Sequence, residues 1–129
     1  MLKSRLFKHA FVLLVVVAVL NLLAETLYLN WTLNGFDKIL HLLSGTCVAM
    51  AVFLYFKFKP ADRSKTKMIL TTVLTVFLVG ILWEIYELYF GITSLSDGIA
   101  YVTDTLSDMA MDIIGGFFGS LYSLRMLHE

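Results

Sequence analysis

The sequence contains little of what usually cross-links a small protein. Of its 129 residues only one is a cysteine, Cys47, and only one is a proline, Pro60. A single cysteine excludes a disulfide within the chain and any metal site built from thiolates alone. We therefore expect Cys47 to pack in the interior as a small apolar side chain.

Charged residues are also scarce. They make up 16% of the chain, against 59% hydrophobic residues, and the 10 basic and 10 acidic side chains cancel in the net charge. This composition lies far from that of a soluble globular domain. It predicts an integral membrane protein whose main partner is membrane lipid, and nothing in it indicates binding to nucleic acid.

Four apolar stretches are long enough to cross a bilayer as helices, which takes about 20 residues each. The first follows basic residues, as the core of a secretory signal does, but Leu22 stands two residues before Ala24 where a cleavage site needs a small residue. We therefore expect this stretch to remain as a helix. The sequence predicts an all-α protein with a single domain over residues 1–129 and helices at about 7–29, 37–57, 67–90 and 104–127.

The basic residues indicate how these helices cross the membrane. Lys38 alone lies at one end of the helices, and the other nine lie at the opposite end: Lys3, Arg5, Lys8, Lys57, Lys59, Arg63, Lys65, Lys67 and Arg125. Cytoplasmic loops carry the excess of basic residues. We therefore predict an antiparallel four-helix bundle in the plasma or inner membrane, with both termini cytoplasmic and residues 91–103 as an outer loop.

Acidic residues collect at the outer end of the predicted helices. In FDKILHLLSG, Asp37 and His41 are four residues apart and therefore lie one turn apart on one face. In WEIYELYFG, Glu84 and Glu87 are three residues apart and also share a face. Two acids near a helix C-terminus oppose the helix dipole, so a purely structural role explains them poorly.

The last helix carries an acid at every fourth position of DTLSDMAMDIIGG, namely Asp104, Asp108 and Asp112. Asp104 is explained most simply as an acid at a helix start, but Asp112 lies two turns further in. Gly115 and Gly119 follow in a small-xxx-small pattern that permits close helix packing.

Charged groups inside a membrane are costly, so this clustering is a functional-site hypothesis by default. The acids cannot all be ionised together unless something positive compensates them, and Lys38 is expected to point away from their face. Either several carry protons or metal ions bind there. Carboxylate and imidazole ligands suit a divalent ion such as Mn, Fe, Zn or Mg. The predicted metal ligands are Asp37, His41, Glu84, Glu87, Asp108 and Asp112.

The three segments FDKILHLLSG, WEIYELYFG and DTLSDMAMDIIGGFFG together resemble the VanZ-like group of small bacterial and archaeal membrane proteins, and especially its YjdF-like branch. The shared patterns are Asp-Lys-x-x-His, Trp-Glu-x-x-Glu and Asp-x-x-x-Asp-x-x-Gly, all in the second to fourth helices. The resemblance implies the same six polar positions and a link to glycopeptide resistance and the cell envelope. It implies no particular reaction.

Three functions fit this pattern. The first is a metal-dependent hydrolase acting on a lipid headgroup or a cell-envelope substrate, with Glu84 or Glu87 as the catalytic general base. The second is cation or proton transport or coupling, for which four helices would need to assemble as a homo-oligomer. The third is a non-catalytic accessory protein that binds metal. Whether Glu25 joins the site stays open.

Overall fold

The computed structural model describes residues 4–59 and 64–127. Within these ranges the chain is all-helical, with five α-helices and one short 3-10 turn at Leu95–Asp97. The α-helices are α1 (Arg5–Thr26), α2 (Leu29–Thr32), α3 (Phe36–Phe58), α4 (Lys65–Tyr89) and α5 (Ile99–Met126). Some residues used for the loop and orientation predictions lie outside the described residues: Lys3, Pro60 and Arg63.

Three of the described helices, α1, α3 and α4, are long and apolar enough to cross a membrane by length and composition. The predicted ends of two segments differ from those in the structure. α1 ends at Thr26, because Tyr28 adopts a left-handed backbone conformation with φ 55° and begins the separate short helix α2. α5 begins at Ile99, inside the segment expected to be a loop, directly after Gly98 with φ 59°.

Glycines allow α3 and α5 to lie backbone to backbone. A Cβ added at Gly115 would collide with the carbonyl oxygen of Leu42, and one added at Gly45 would collide with the backbone of Asp112. The Thr46 hydroxyl donates a hydrogen bond to the Gly115 carbonyl oxygen across the same interface, at 3.1 Å. This interface is the most extensive between any two described helices, as expected for helices joined through small residues.

The contacts along each helix pair give their relative directions. Near the start of α3, Asp37 lies close to Asp108 of α5, and further along α3, Ala49 lies close to Gly119. Because the residue numbers increase together, α3 and α5 run in the same direction. The contacts of α4 with α5 run in opposite senses, since Glu84 bonds to Thr105 while Val76 lies beside Gly116. Residues near the start of α3 and those near the end of α4 therefore reach the same end of the molecule.

A cluster of buried apolar residues lies at the other end of the helices. It joins the start of α1 to the later turns of α3 through Leu6, Ala10, Met50, Phe53 and Phe56. His9 and Tyr122 link α1 to α5 near this core, with 2.5 Å between the His9 Nδ1 and the Tyr122 hydroxyl oxygen. The helix ends that carry the acids are thus packed mainly by α3, α4 and α5.

α1 is fixed to the rest of the chain near its two ends. Its buried residues are Leu6 and Ala10 in the first turns and Ala24 in the last turn, and no residue between Ala10 and Ala24 is buried. The apolar side chains in this middle part, such as Leu14 and Val19, are about half exposed. The middle of α1 is therefore less covered by the other described helices than its two ends are.

Candidate metal centre

Four of the six predicted site residues meet around one imidazole. The His41 Nε2 lies 3.7 Å from Asp37 Oδ1 and 3.9 Å from Asp108 Oδ1. On the other side of the ring, the His41 Nδ1 lies 3.2 Å from Asp112 Oδ2. His41, Asp108 and Asp112 are buried, with exposed fractions of 6%, 2% and 5%.

This arrangement follows from helix geometry and from the glycine contacts between α3 and α5. Asp37 and His41 lie one turn apart on α3, as Asp108 and Asp112 do on α5, so each pair projects from one face. Because the two helices run in the same direction in close contact, the two pairs come level with each other. A histidine on α3 therefore lies between acids of both helices.

Three of these side chains could hold a metal ion. Asp37, His41 and Asp108 each offer one ligand atom, and the three atoms lie within 4.8 Å of one another. Asp112 contacts the other ring nitrogen instead, which is the usual place of a carboxylate that orients a metal-binding histidine. The donor set of two carboxylates and an imidazole suits a divalent ion such as Mn, Fe, Zn or Mg.

Lys38 is part of this cluster, and the expectation that it points away was wrong. Its Nζ donates a hydrogen bond to Asp104 Oδ1 at 2.6 Å, donates another to Asp108, and lies 3.6 Å from Asp37 Oδ2. The lysine stem is long enough to cross from α3 to α5 although its Cα lies on a different side of α3. Three carboxylates therefore lie around one lysine, and this excess of negative charge favours a further proton or cation nearby.

Glu84 and Glu87, the predicted catalytic residues, point to different places. Glu84 is buried and its Oε2 accepts a hydrogen bond from the Thr105 hydroxyl at 2.7 Å, while its buried Oε1 has no partner among the described residues. Glu87 Oε1 accepts a hydrogen bond from Trp83 Nε1 at 3.0 Å. Neither glutamate belongs to the set of ligand atoms around His41.

A cavity of about 520 Å³ lies between α1, α3 and α4, beside the cluster. Asp37, His41 and Asp112 line it, together with Glu87 from α4 and Glu25 from α1. Its volume falls within the range of about 300–1,000 Å³ typical of small-molecule sites. A ligand that fills this cavity could therefore contact both His41 and Glu87, whereas Glu84 is not among the lining residues.

Two polar partners were not predicted from the sequence. Lys38 is adjacent to Asp37, and the facing acids Asp104 and Asp108 are four residues apart, a spacing that could have indicated a lysine held between them. Thr105, which bonds to Glu84, is an ordinary helix residue in the sequence. No pattern around Thr105 indicates its partner, since the two residues meet only when α4 packs on α5.

No curated protein and no solved structure is significantly similar to the chain. One family model matches, described as a predicted membrane protein (DUF2238), and the match covers residues 3–129. This result supports the expectation of a small membrane protein family, while the VanZ-like and YjdF-like names stay a resemblance. The protein is a membrane protein in contact with lipid, and the chain belongs to the DUF2238 family.

Proposed function

We propose that the protein binds a divalent metal ion in the membrane through Asp37, His41 and Asp108. The observation that supports this most directly is the convergence of three ligand atoms from two helices within 4.8 Å. The contact of the other His41 nitrogen with Asp112 adds to it, because metal-ligating histidines almost always bond a carboxylate or carbonyl through that nitrogen.

The proposed topology is an antiparallel four-helix bundle in the plasma or inner membrane, with α5 as the fourth crossing and both termini in the cytoplasm. Its support is the distribution of basic residues at the end of α3 and the start of α4, such as Lys57 and Lys65, away from the acids. In this topology the metal centre lies in the outer half of the bundle.

Lys38 would compete with the ion. Its ammonium group donates a hydrogen bond to Asp108 Oδ1, the same candidate ligand oxygen that lies 3.9 Å from the His41 Nε2. Ion binding would therefore require Lys38 to leave that oxygen, and its bond to the exposed Asp104 gives it another partner. A divalent ion carries two positive charges where the lysine carries one, so its binding would also reduce the excess of negative charge in the cluster.

A hydrolase that acts on a lipid headgroup or a cell-envelope substrate is the catalytic form of this proposal. A bound ion would polarise a substrate oxygen and activate water. Glu87 is better placed than Glu84 to act as the general base, because Glu87 lines the cavity beside His41 while Glu84 is held by Thr105. A protein that binds metal without turnover would share the same centre.

Ion or proton transport has less support. Thr72 and Ser120 are buried hydroxyl residues in the half of the bundle away from the acids, where a path would have to continue. Each donates its hydrogen bond to a carbonyl of its own helix one turn earlier. Such bonds satisfy these two hydroxyls locally. The buried Ser123 hydroxyl has no partner among the described residues, but no charged side chain of the described residues is buried with it in that half. We therefore favour a binding centre over a transport path.

The experiment is a metal analysis of the full chain purified in detergent, after dialysis against chelator and then against Mn²⁺ or Zn²⁺. We expect bound metal in the original protein and its loss in His41→Gln and Asp108→Asn. Asp97→Asn is the matched control, since Asp97 is an exposed acid of the 3-10 turn. Metal content in the His41 and Asp108 variants equal to that of the control would overturn the proposal.

The catalytic form is tested separately with Glu87→Gln. This variant should keep its metal but lose any hydrolysis of lipid headgroup substrates found with the original protein. Turnover unchanged in Glu87→Gln would remove Glu87 as the base, and metal binding without turnover in the original protein would assign it a non-catalytic role.

A further inference from the structure

The cavity beside the metal centre combines an acidic end with a long apolar wall. Its acidic end carries Glu25, Asp37, Glu87 and Asp112, and no lysine or arginine of the described residues is among its lining side chains. Its remaining wall is largely aliphatic, with contributions from α1, α3 and α4: Leu14, Val17, Val48, Val76 and Val79. A bare ion would make no use of this apolar length.

We propose that the cavity binds a lipid of the surrounding membrane whose headgroup carries an ammonium group, with one acyl chain along the aliphatic wall. The inference goes beyond the metal centre, because it depends on Glu25, Glu87 and the aromatic side chains near them. Charge complementarity selects the headgroup. Glu25 and Glu87 at this end favour a headgroup that carries an ammonium group over one whose only charge is negative, such as the phosphatidylglycerol headgroup or a fatty acid carboxylate.

Aromatic side chains at the acidic end fit the same headgroup. Trp31, Trp83, Tyr86 and Phe90 line the cavity there. The Trp83 and Tyr86 rings stack with centroids 5.1 Å apart, and the Tyr86 and Phe90 rings lie 4.6 Å apart. Aromatic faces attract ammonium groups, and sites for quaternary ammonium ligands are commonly lined by such rings.

The position of α1 gives such a lipid a route from the bilayer. Leu14, Ala18 and Asn21 line the cavity from the part of α1 that contains no buried residue. The opposite wall is α4, whose side chains Val79 and Trp83 also line it. An acyl chain can therefore enter sideways between α1 and α4 while the headgroup stays level with the acids.

The experiment measures which lipid the protein retains. The full chain in dodecyl maltoside is mixed with equal amounts of phosphatidylethanolamine and phosphatidylglycerol with identical acyl chains, excess lipid is removed, and bound lipid is identified by native mass spectrometry. We expect phosphatidylethanolamine to be retained about tenfold over phosphatidylglycerol, which corresponds to about 1.4 kcal/mol. Equal retention, preferential retention of phosphatidylglycerol, or retention of neither would overturn the proposal.

Matched variants locate the bound lipid. Ala18→Phe places a ring in the cavity and should abolish retention, while Val19→Phe places the same ring on the neighbouring residue of α1, which does not line the cavity, and should retain the lipid. Glu25→Gln combined with Glu87→Gln should remove the preference for the ammonium headgroup. Retention in Ala18→Phe equal to that in Val19→Phe would refute the assignment to this cavity.

The two proposals can fail separately. Ala18→Phe should lose lipid and keep the metal content of the original protein, because Ala18 contributes no ligand atom to the metal centre. Asp108→Asn should lose metal and keep lipid, because Asp108 is not among the cavity-lining residues. Loss of the metal alone would therefore leave the lipid site in place, and loss of the lipid alone would leave the metal centre.

Discussion

Replacement of Asp112 by asparagine tests whether Asp112 orients His41 or binds the ion itself. Asp112 Oδ2 lies 3.2 Å from the His41 Nδ1, and both side chains are almost fully buried. Asparagine keeps the shape and one acceptor oxygen but removes the charge that fixes the ring and raises its basicity. Loss of such a partner typically weakens metal binding 10–100-fold, or by about 1.4–2.7 kcal/mol.

The assay is equilibrium dialysis of the detergent-purified protein against Mn²⁺ and Zn²⁺, with stoichiometry and affinity measured separately. Asp112→Asn should keep the stoichiometry of the original protein and show the weaker affinity, whereas His41→Gln should lose binding. A complete loss of stoichiometric metal in Asp112→Asn would make Asp112 a ligand, as the sequence alone suggested. Unchanged affinity would refute the orienting role.

Three further substitutions test the packing and charge of the cluster. Lys38→Met should lower the free energy of unfolding by about 3 kcal/mol, the low end for breaking a buried pair, because the Lys38 side chain is 26% exposed. Mn²⁺ should then raise the melting temperature of the variant more than that of the original protein. An equal effect of Mn²⁺ on both proteins would contradict competition between Lys38 and the ion. Gly80→Ala places a Cβ 2.8 Å from Asp112 Oδ2 and should displace the Asp112 side chain. Dialysis should then show weaker metal binding at a nearly unchanged melting temperature. Unchanged affinity would exclude a displacement of Asp112. In Gly115→Ala the added Cβ collides with the Leu42 carbonyl, which should lower the free energy of unfolding in detergent by about 1–3 kcal/mol. An unchanged melting temperature would contradict this prediction.

Spacing along single helices could be predicted from the sequence, because it depends only on helix geometry. The one-turn separation of Asp37 and His41, and that of Asp108 and Asp112, follow from a spacing of four residues. The helix ends at Tyr28 and Gly98 could not be predicted, since they depend on individual backbone conformations rather than on hydropathy. The apolar pattern does not change sharply at either position.

Contacts between helices were harder to predict, as Glu84 and Lys38 illustrate. Glu84 and Glu87 are three residues apart, so their directions differ by about 60° around the helix axis. That difference is enough for Glu84 to bond to α5 while Glu87 lines the cavity. Lys38 reaches the acids of α5 through the length and freedom of its side chain, which the position of its Cα on a helical wheel does not represent.

The fixing of α1 near its two ends has a mechanical consequence. A helix supported at both ends can bow outward at its centre through small changes spread over many hydrogen bonds, without breaking the contacts of Leu6 or Ala24. The width of the gap beneath its middle would then depend on how far the helix bends in the bilayer. Membrane thickness and tension would thus tune access to the interior without any hinge in the chain.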